Sequence, residues 1–238
     1  SFVGFFKKYF IEELKLILLE KENYNSLLSL ILILLENSQV IPFIVNELQQ
    51  LVLLEGIDKY IRVLANQRLL EFNGYNYRFI LDTLIAQSTS GSLSIAGFIF
   101  EKVGENDFEN SYIANFLRCC ARLYPTHNTR WDRVIGERYF IKSFIGRLDL
   151  KIIEWLLHDL TKDLGCICSK EDYECECRGG ISKIVGSLLD RYFELTIPPY
   201  DPLKIWQWIQ NLNFHSGKSE EDSLSVRALQ ESDVLRQS

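Results

Sequence analysis

Four cysteines fall in one short polar segment, Cys166-Ile-Cys168-Ser-Lys-Glu-Asp-Tyr-Glu-Cys175-Glu-Cys177, in a chain otherwise rich in leucine and isoleucine. If each Cys-x-Cys stretch is extended, its two thiols lie on one face, because side chains alternate along a strand. The residues SKEDYE between the pairs would turn the chain back and bring the four sulfurs together. Such a hairpin holds zinc in a tetrahedral thiolate cage or closes into disulfides; free thiols are the third state. Zinc at Cys166, Cys168, Cys175 and Cys177 is the expectation, since metal binding would order a segment too polar to fold by itself. The spacing lacks the two-residue gap of common zinc knuckles. Asp172, Glu174 and Glu176 would raise the thiol pKa values without a metal, and no adjacent histidine or basic cluster is present to activate a catalytic thiol.

The 238 residues suffice for one large domain or two smaller ones. A formal charge of -6 gives no global attraction to polyanions, although a local basic surface would still serve nucleic acid. The strongest apolar run, Leu27 to Leu35, is far short of the roughly 20 residues that span a bilayer as a helix. In Phe2-Val-Gly-Phe-Phe-Lys-Lys-Tyr-Phe10 the lysines follow the aromatics and Glu12 and Glu13 come next, which is not the pattern of a secretory signal. The expectation is therefore an intracellular protein with reduced or metal-bound thiols and no membrane span. The absence of methionine predicts a processed chain or a segment of a longer protein.

Helical spacing dominates the pattern. Phe6, Phe10, Leu14, Ile17 and Leu18 define a first helix, followed by helices over about 26–36 and 40–54, with Pro42 tolerated in the first turn of the latter. A further compact segment covers 57–66. The period then shifts: Arg68-Leu-Leu-Glu-Phe72 and Tyr75-Asn-Tyr-Arg-Phe-Ile80 flank Asn73-Gly74, the pattern of a hairpin with a tight type I′ turn. Helices followed by such a hairpin resemble a winged-helix domain over residues 24–87. The segment YRFILDTL is similar to the end of winged-helix domains in signalling NTPases of the STAND class. The Gly-x-x-x-x-Gly-Lys-Ser/Thr phosphate loop of those enzymes is missing here, so the resemblance implies no nucleotide binding.

The polar run over 88–92 is expected to link a first domain (1–87) to a second, helical one (93–215), with a disordered tail over 216–238. Leu93 to Val103 reads equally as strand or helix. Beyond it, helices are expected over about 111–122, 131–146, 150–164 and 181–195. Asp149 would cap the third of these, and Asp201-Pro202 starts a last helix displaying Ile205, Trp206 and Ile209. The predicted fold class is mainly α: a winged-helix-like amino-terminal unit plus a carboxy-terminal helical domain with a small cysteine hairpin.

Three functional readings compete. Residues 116–151 carry eight positive and three acidic side chains, with Tyr124, Trp131 and Tyr139 available to stack on bases. Solvated helix faces with internally paired arginines are the plainer reading of that run, and docking on an acidic protein surface is another. The sharper one is DNA or RNA binding through Arg130, Arg133, Arg138 and Lys142, joined by Lys59, Arg62 and Arg68 on the third helix and Arg78 on the wing. An enzyme would need a cleft joining His158 or Cys119 to a second activated group, and His127 or His215 would replace a cysteine as a metal ligand only if the fold brings it close. The expectation is a non-enzymatic interaction or scaffold subunit of a larger assembly, with Trp206 and Trp208 as interface anchors.

Overall fold

The computed structural model describes residues 10–20, 25–72, 75–124, 139–162 and 176–210, with the backbone alone for 176–179. The described residues are mainly helical and contain no strand. Two compact units divide the chain between Lys102 and Val103.

The first unit contains α1 (Ile11–Leu19), α2 (Asn25–Leu34), α3 (Val45–Leu53), α4 (Lys59–Leu70), α5 (Tyr77–Gln87) and α6 (Ser90–Val103), which runs to the boundary. A 3-10 turn, Ile41–Phe43, places Pro42 where a missing N–H costs nothing. The α4 helix packs against α2 and α3, and α3 also meets α1 and α5. The buried apolar residues of α4, Ile61, Leu64, Ala65 and Leu69, recur at three- and four-residue steps. The Asp58 carboxylate starts the helix by accepting from the Tyr60 N–H at 2.8 Å.

The hairpin expected over 68–80 is not formed. Arg68 to Leu70 complete α4, and Tyr77 to Ile80 open α5. The apolar face running from Ile61 through Ala65 to Leu69 outweighs a strand reading of five residues, because ending the helix earlier would expose Leu69, which is fully buried. Likewise Ile80, Leu81, Leu84 and Ile85 bury one helical face. Asn73 and Gly74 lie outside the described residues. The Tyr75 N–H donates to the Phe72 carbonyl at 2.9 Å, so the connection joins two helices where two strands were expected.

The run over 88–92 serves as a tight joint between helices. Ser88 ends α5 in the left-handed region at φ 55°. Thr89 then opens α6, its hydroxyl oxygen accepting from the Ser92 N–H at 3.2 Å. The segment from Leu93 to Val103 is helical, and Leu93, Ile95, Ala96, Ile99 and Phe100 bury its inner face.

The second unit contains α7 (Asn110–Ala121), a helical stretch over 139–145 (α8), α9 (Leu150–Lys162), α10 (Glu176–Leu195) and α11 (Pro202–Ile209). The α10 helix packs on α7 and α9, α7 also meets α9, and α11 lies on α9. Phe116 and Phe144 meet edge to face at 5.2 Å in the core. Both predicted caps are present. The Asp149 carboxylate accepts from the Ile152 N–H at 2.9 Å. Asp201 accepts from the Leu203 and Lys204 N–H groups at 3.0 and 3.3 Å, with Pro202 in the first turn.

At Gly180 the backbone of α10 comes directly onto the end of α7. A Cβ there would collide with the Ala121 carbonyl oxygen and lie 2.8 Å from its carbon. Only a residue without a side chain permits that approach. No described helix is long and apolar enough to cross a membrane.

Candidate interaction surfaces

The arginines expected to read nucleic acid from α4 point inward. Arg62 is 3 % exposed, and its Nε donates to the Val52 carbonyl at 2.8 Å. Its Nη2 reaches the Ser92 hydroxyl at 3.1 Å and the Gln87 Oε1 at 3.4 Å. The side chain thereby ties α4 to the end of α3 and to the α5–α6 joint, and burial lowers its pKa from the ordinary arginine value while Glu55 opposes the shift. Gln87 adds to the same joint by donating to the Leu53 carbonyl at 2.8 Å.

Arg68 is also buried. Its Nη2 pairs with Glu71 at 3.0 Å, and the other Glu71 oxygen accepts from the Asn37 N–H at 2.9 Å. That network anchors the turn after α2, where Asn37 has a φ of 53°. Lys59 is exposed and Arg78 half-buried, so the four cations do not share one outward face. The expectation that they form a groove-reading surface is corrected for Arg62 and Arg68: both are buried, Arg62 with three internal acceptors and Arg68 with the Glu71 carboxylate, although its Nε and Nη1 meet no partner among the described residues.

In the basic segment, Lys142 is exposed on α8, whereas Arg130, Arg133 and Arg138 lie outside the described residues. Arg118 pairs with Asp159 at 2.7 Å and Arg147 with Glu105 at 3.7 Å. Part of the positive run is therefore balanced internally. His158 is exposed, and the neighbouring Asp159 carboxylate is engaged by Arg118. His127 and His215 lie outside the described residues. Cys119 is partly exposed, and Cys120 is fully buried, its thiol pushed well above the ordinary value by burial and by Cys119.

Among the described residues no group of three or more histidine, cysteine or acidic side chains is placed to hold a metal ion. The zinc expectation falls on other residues: Cys166, Cys168 and Cys175 lie outside the described set, and only the backbone of Cys177 is described. That backbone is helical, within α10, rather than in an extended strand.

The two tryptophans of α11 have opposite fates. Trp208 is 2 % exposed, edge to face with Tyr192 at 5.1 Å, and the Lys204 ammonium sits 5.2 Å from its ring centre. Trp206 is 59 % exposed. Of the predicted pair, only Trp206 is exposed; Trp208 is core. Two apolar residues that sequence reading did not single out accompany it in the same part of the chain: Leu203, one helical turn before it on α11, and Ile197 are 73 % and 87 % exposed. The i, i+3 spacing of Leu203 and Trp206 is visible in the sequence, but the same spacing also describes a buried stripe.

Tyr75 presents a separate feature. It is buried, and its hydroxyl finds no hydrogen-bond partner among the described residues. Burial raises its pKa above the ordinary value of 10.0. The folded protein thus keeps a proton that the unfolded chain loses, so this group's contribution is present below pH 10 and falls as the pH rises above it. Tyr75→Phe is expected to change stability at pH 8 by no more than about 1 kcal/mol. It should also flatten the alkaline loss, as read from urea midpoints between about pH 8 and pH 11.

No protein-family model, curated protein or solved structure matches the chain.

Proposed function

We propose that this chain is a non-enzymatic interaction subunit that engages a protein partner through the α11 end of its second unit. The observation that carries this reading is the exposure of Ile197, Leu203 and Trp206 within a span of ten residues. Leu203 and Trp206 are held in water on α11, with Ile197 in the connection before it; such side chains offer burial energy at an interface, and tryptophan is the residue type most enriched among interface hot spots. The cap at Asp201 and the packing of Trp208 support that presentation by fixing the helix in one orientation. The four-cysteine segment would act as a zinc-stabilised loop of the same scaffold.

The test is recovery of partners from cells with the full chain and with a Leu203→Asp/Trp206→Asp variant. Both positions are exposed, so the variant is expected to keep the parent melting temperature within about 2 °C and to lose a stoichiometric protein partner. Retention of the same partners by the variant would defeat the proposal. Salt-sensitive recovery of DNA or RNA in place of protein would favour a nucleic-acid regulator.

A further inference from the structure

We propose that the first unit carries a second docking surface, a trough beside α1 that takes a basic amphipathic helix from a protein partner. Two adjoining grooves of about 660 and 720 Å³ share Leu19 and Glu20. The first is bounded by the ends of α1 and α3 and the start of α2; the second lies between α1 and Glu47 of α3. Their apolar surface includes Leu16, Leu19 and Leu54, which are 72 %, 41 % and 55 % exposed. Helical geometry explains the continuity: Leu16 and Leu19, one turn apart, lie on α1 away from the buried face of Ile11, Leu14 and Leu18, and Glu20 follows directly at the end of the helix.

The rim selects the partner. Three carboxylates, Glu12, Glu20 and Glu47, line the second groove beside one cation, Lys15. Lys15 is already held by Glu12 at 3.0 Å. Glu20 and Glu47 form no close ion pair among the described residues; Lys15 also feels the Glu47 charge, yet three carboxylates against its single ammonium leave the apolar floor with a net negative rim. A partner that covers the leucines must bring cations to that edge, because burying carboxylates without them is costly. A second copy of this chain would bring the same acids and repel. Anionic lipid and nucleic acid are disfavoured on the same ground.

A helix fits the dimensions. The nine residues of α1 span about 13 Å, enough to face two to three turns of a partner whose apolar residues recur at i, i+3, i+4 and i+7. This surface is distinct from the α11 face, and its residues belong to the other unit.

The decisive experiment uses the full chain and two synthetic helical peptides of about 18 residues sharing one leucine face. One carries lysines on its polar face and the other glutamates, and binding is read by fluorescence anisotropy. The lysine peptide is expected to bind at least about tenfold tighter than its glutamate twin. Glu20→Lys/Glu47→Lys should reverse the order, and Leu16→Asp/Leu19→Asp should weaken the lysine peptide at least about tenfold. Leu203→Asp/Trp206→Asp should leave peptide binding unchanged, which separates failure of this inference from failure of the α11 reading. The inference is overturned if the lysine peptide does not bind, or if it binds equally well to the α1 variants, as generic attraction to an acidic protein would predict. Sedimentation showing a dimer that these substitutions dissolve would overturn it too, by assigning the trough to a second copy.

Discussion

Gly180→Ala is expected to destabilise the second unit by about 2–3 kcal/mol, even though alanine is the better helix former by about 1 kcal/mol. The added methyl would sit inside the Ala121 carbonyl group, and that carbonyl is backbone at the end of α7, so no side-chain rotation relieves the overlap. The same carbonyl also accepts from the Tyr124 N–H at 3.2 Å, which ties it to the turn that ends α7. Moving α10 away would open a gap along its contacts with α7, forfeiting dispersion contacts around buried residues such as Ile181 and Ile184. A thermal melt should fall by about 6–10 °C. Ala121→Gly in the same background should not restore it, because the obstruction is the main chain and not the methyl. An unchanged or higher melting temperature for Gly180→Ala would show that the two helices are not in direct backbone contact.

Trp208→Ala should cost about 3–5 kcal/mol, whereas Trp206→Ala should fall within about 0.5 kcal/mol of the parent. The contrast follows from their surroundings. Trp208 fills space against Tyr192 and lies beneath the Lys204 ammonium, which also pairs with Glu154 of α9 at 2.6 Å. Truncation would leave a cavity at the α9–α10–α11 junction and remove the ring that the cation covers. Trp206 leaves water only on association, so its energetic weight belongs to the partner complex. Urea unfolding of the two variants, followed by circular dichroism, decides the matter. Equal losses would mean that both rings are core and that α11 has no free anchor.

The two tryptophans also mark where sequence reading stopped. Their separation by two positions on a helix puts them about 200° apart, so at most one could face α9, but nothing local says which. The neighbour that claims Trp208 is Tyr192, sixteen residues earlier and on another helix. Arg62 and Arg68 illustrate the same limit with charge. An arginine on a helix between apolar residues reads as an exposed cation until its partners are known. Those of Arg62 are a carbonyl at the end of α3 and side chains at the α5–α6 joint. The failed hairpin shows a local signal overruled. Asn-Gly between strand-forming residues is a good turn signal, but it does not fix the conformation of its flanks, which the core requires as helices. Here Leu69 and Ile80 are buried as parts of helices.

The mainly helical character and several helix starts were legible in the residues themselves, because periodicity and capping are short-range physics. The donors capped by Asp149 and Asp201 lie within three residues of the carboxylate, so the chain needs no tertiary contact to specify them. Tertiary packing alone decided which apolar and charged side chains meet water and where α10 must be glycine. Those outcomes depend on surfaces brought together from distant parts of the chain, and burial is a property of the neighbours as much as of the residue.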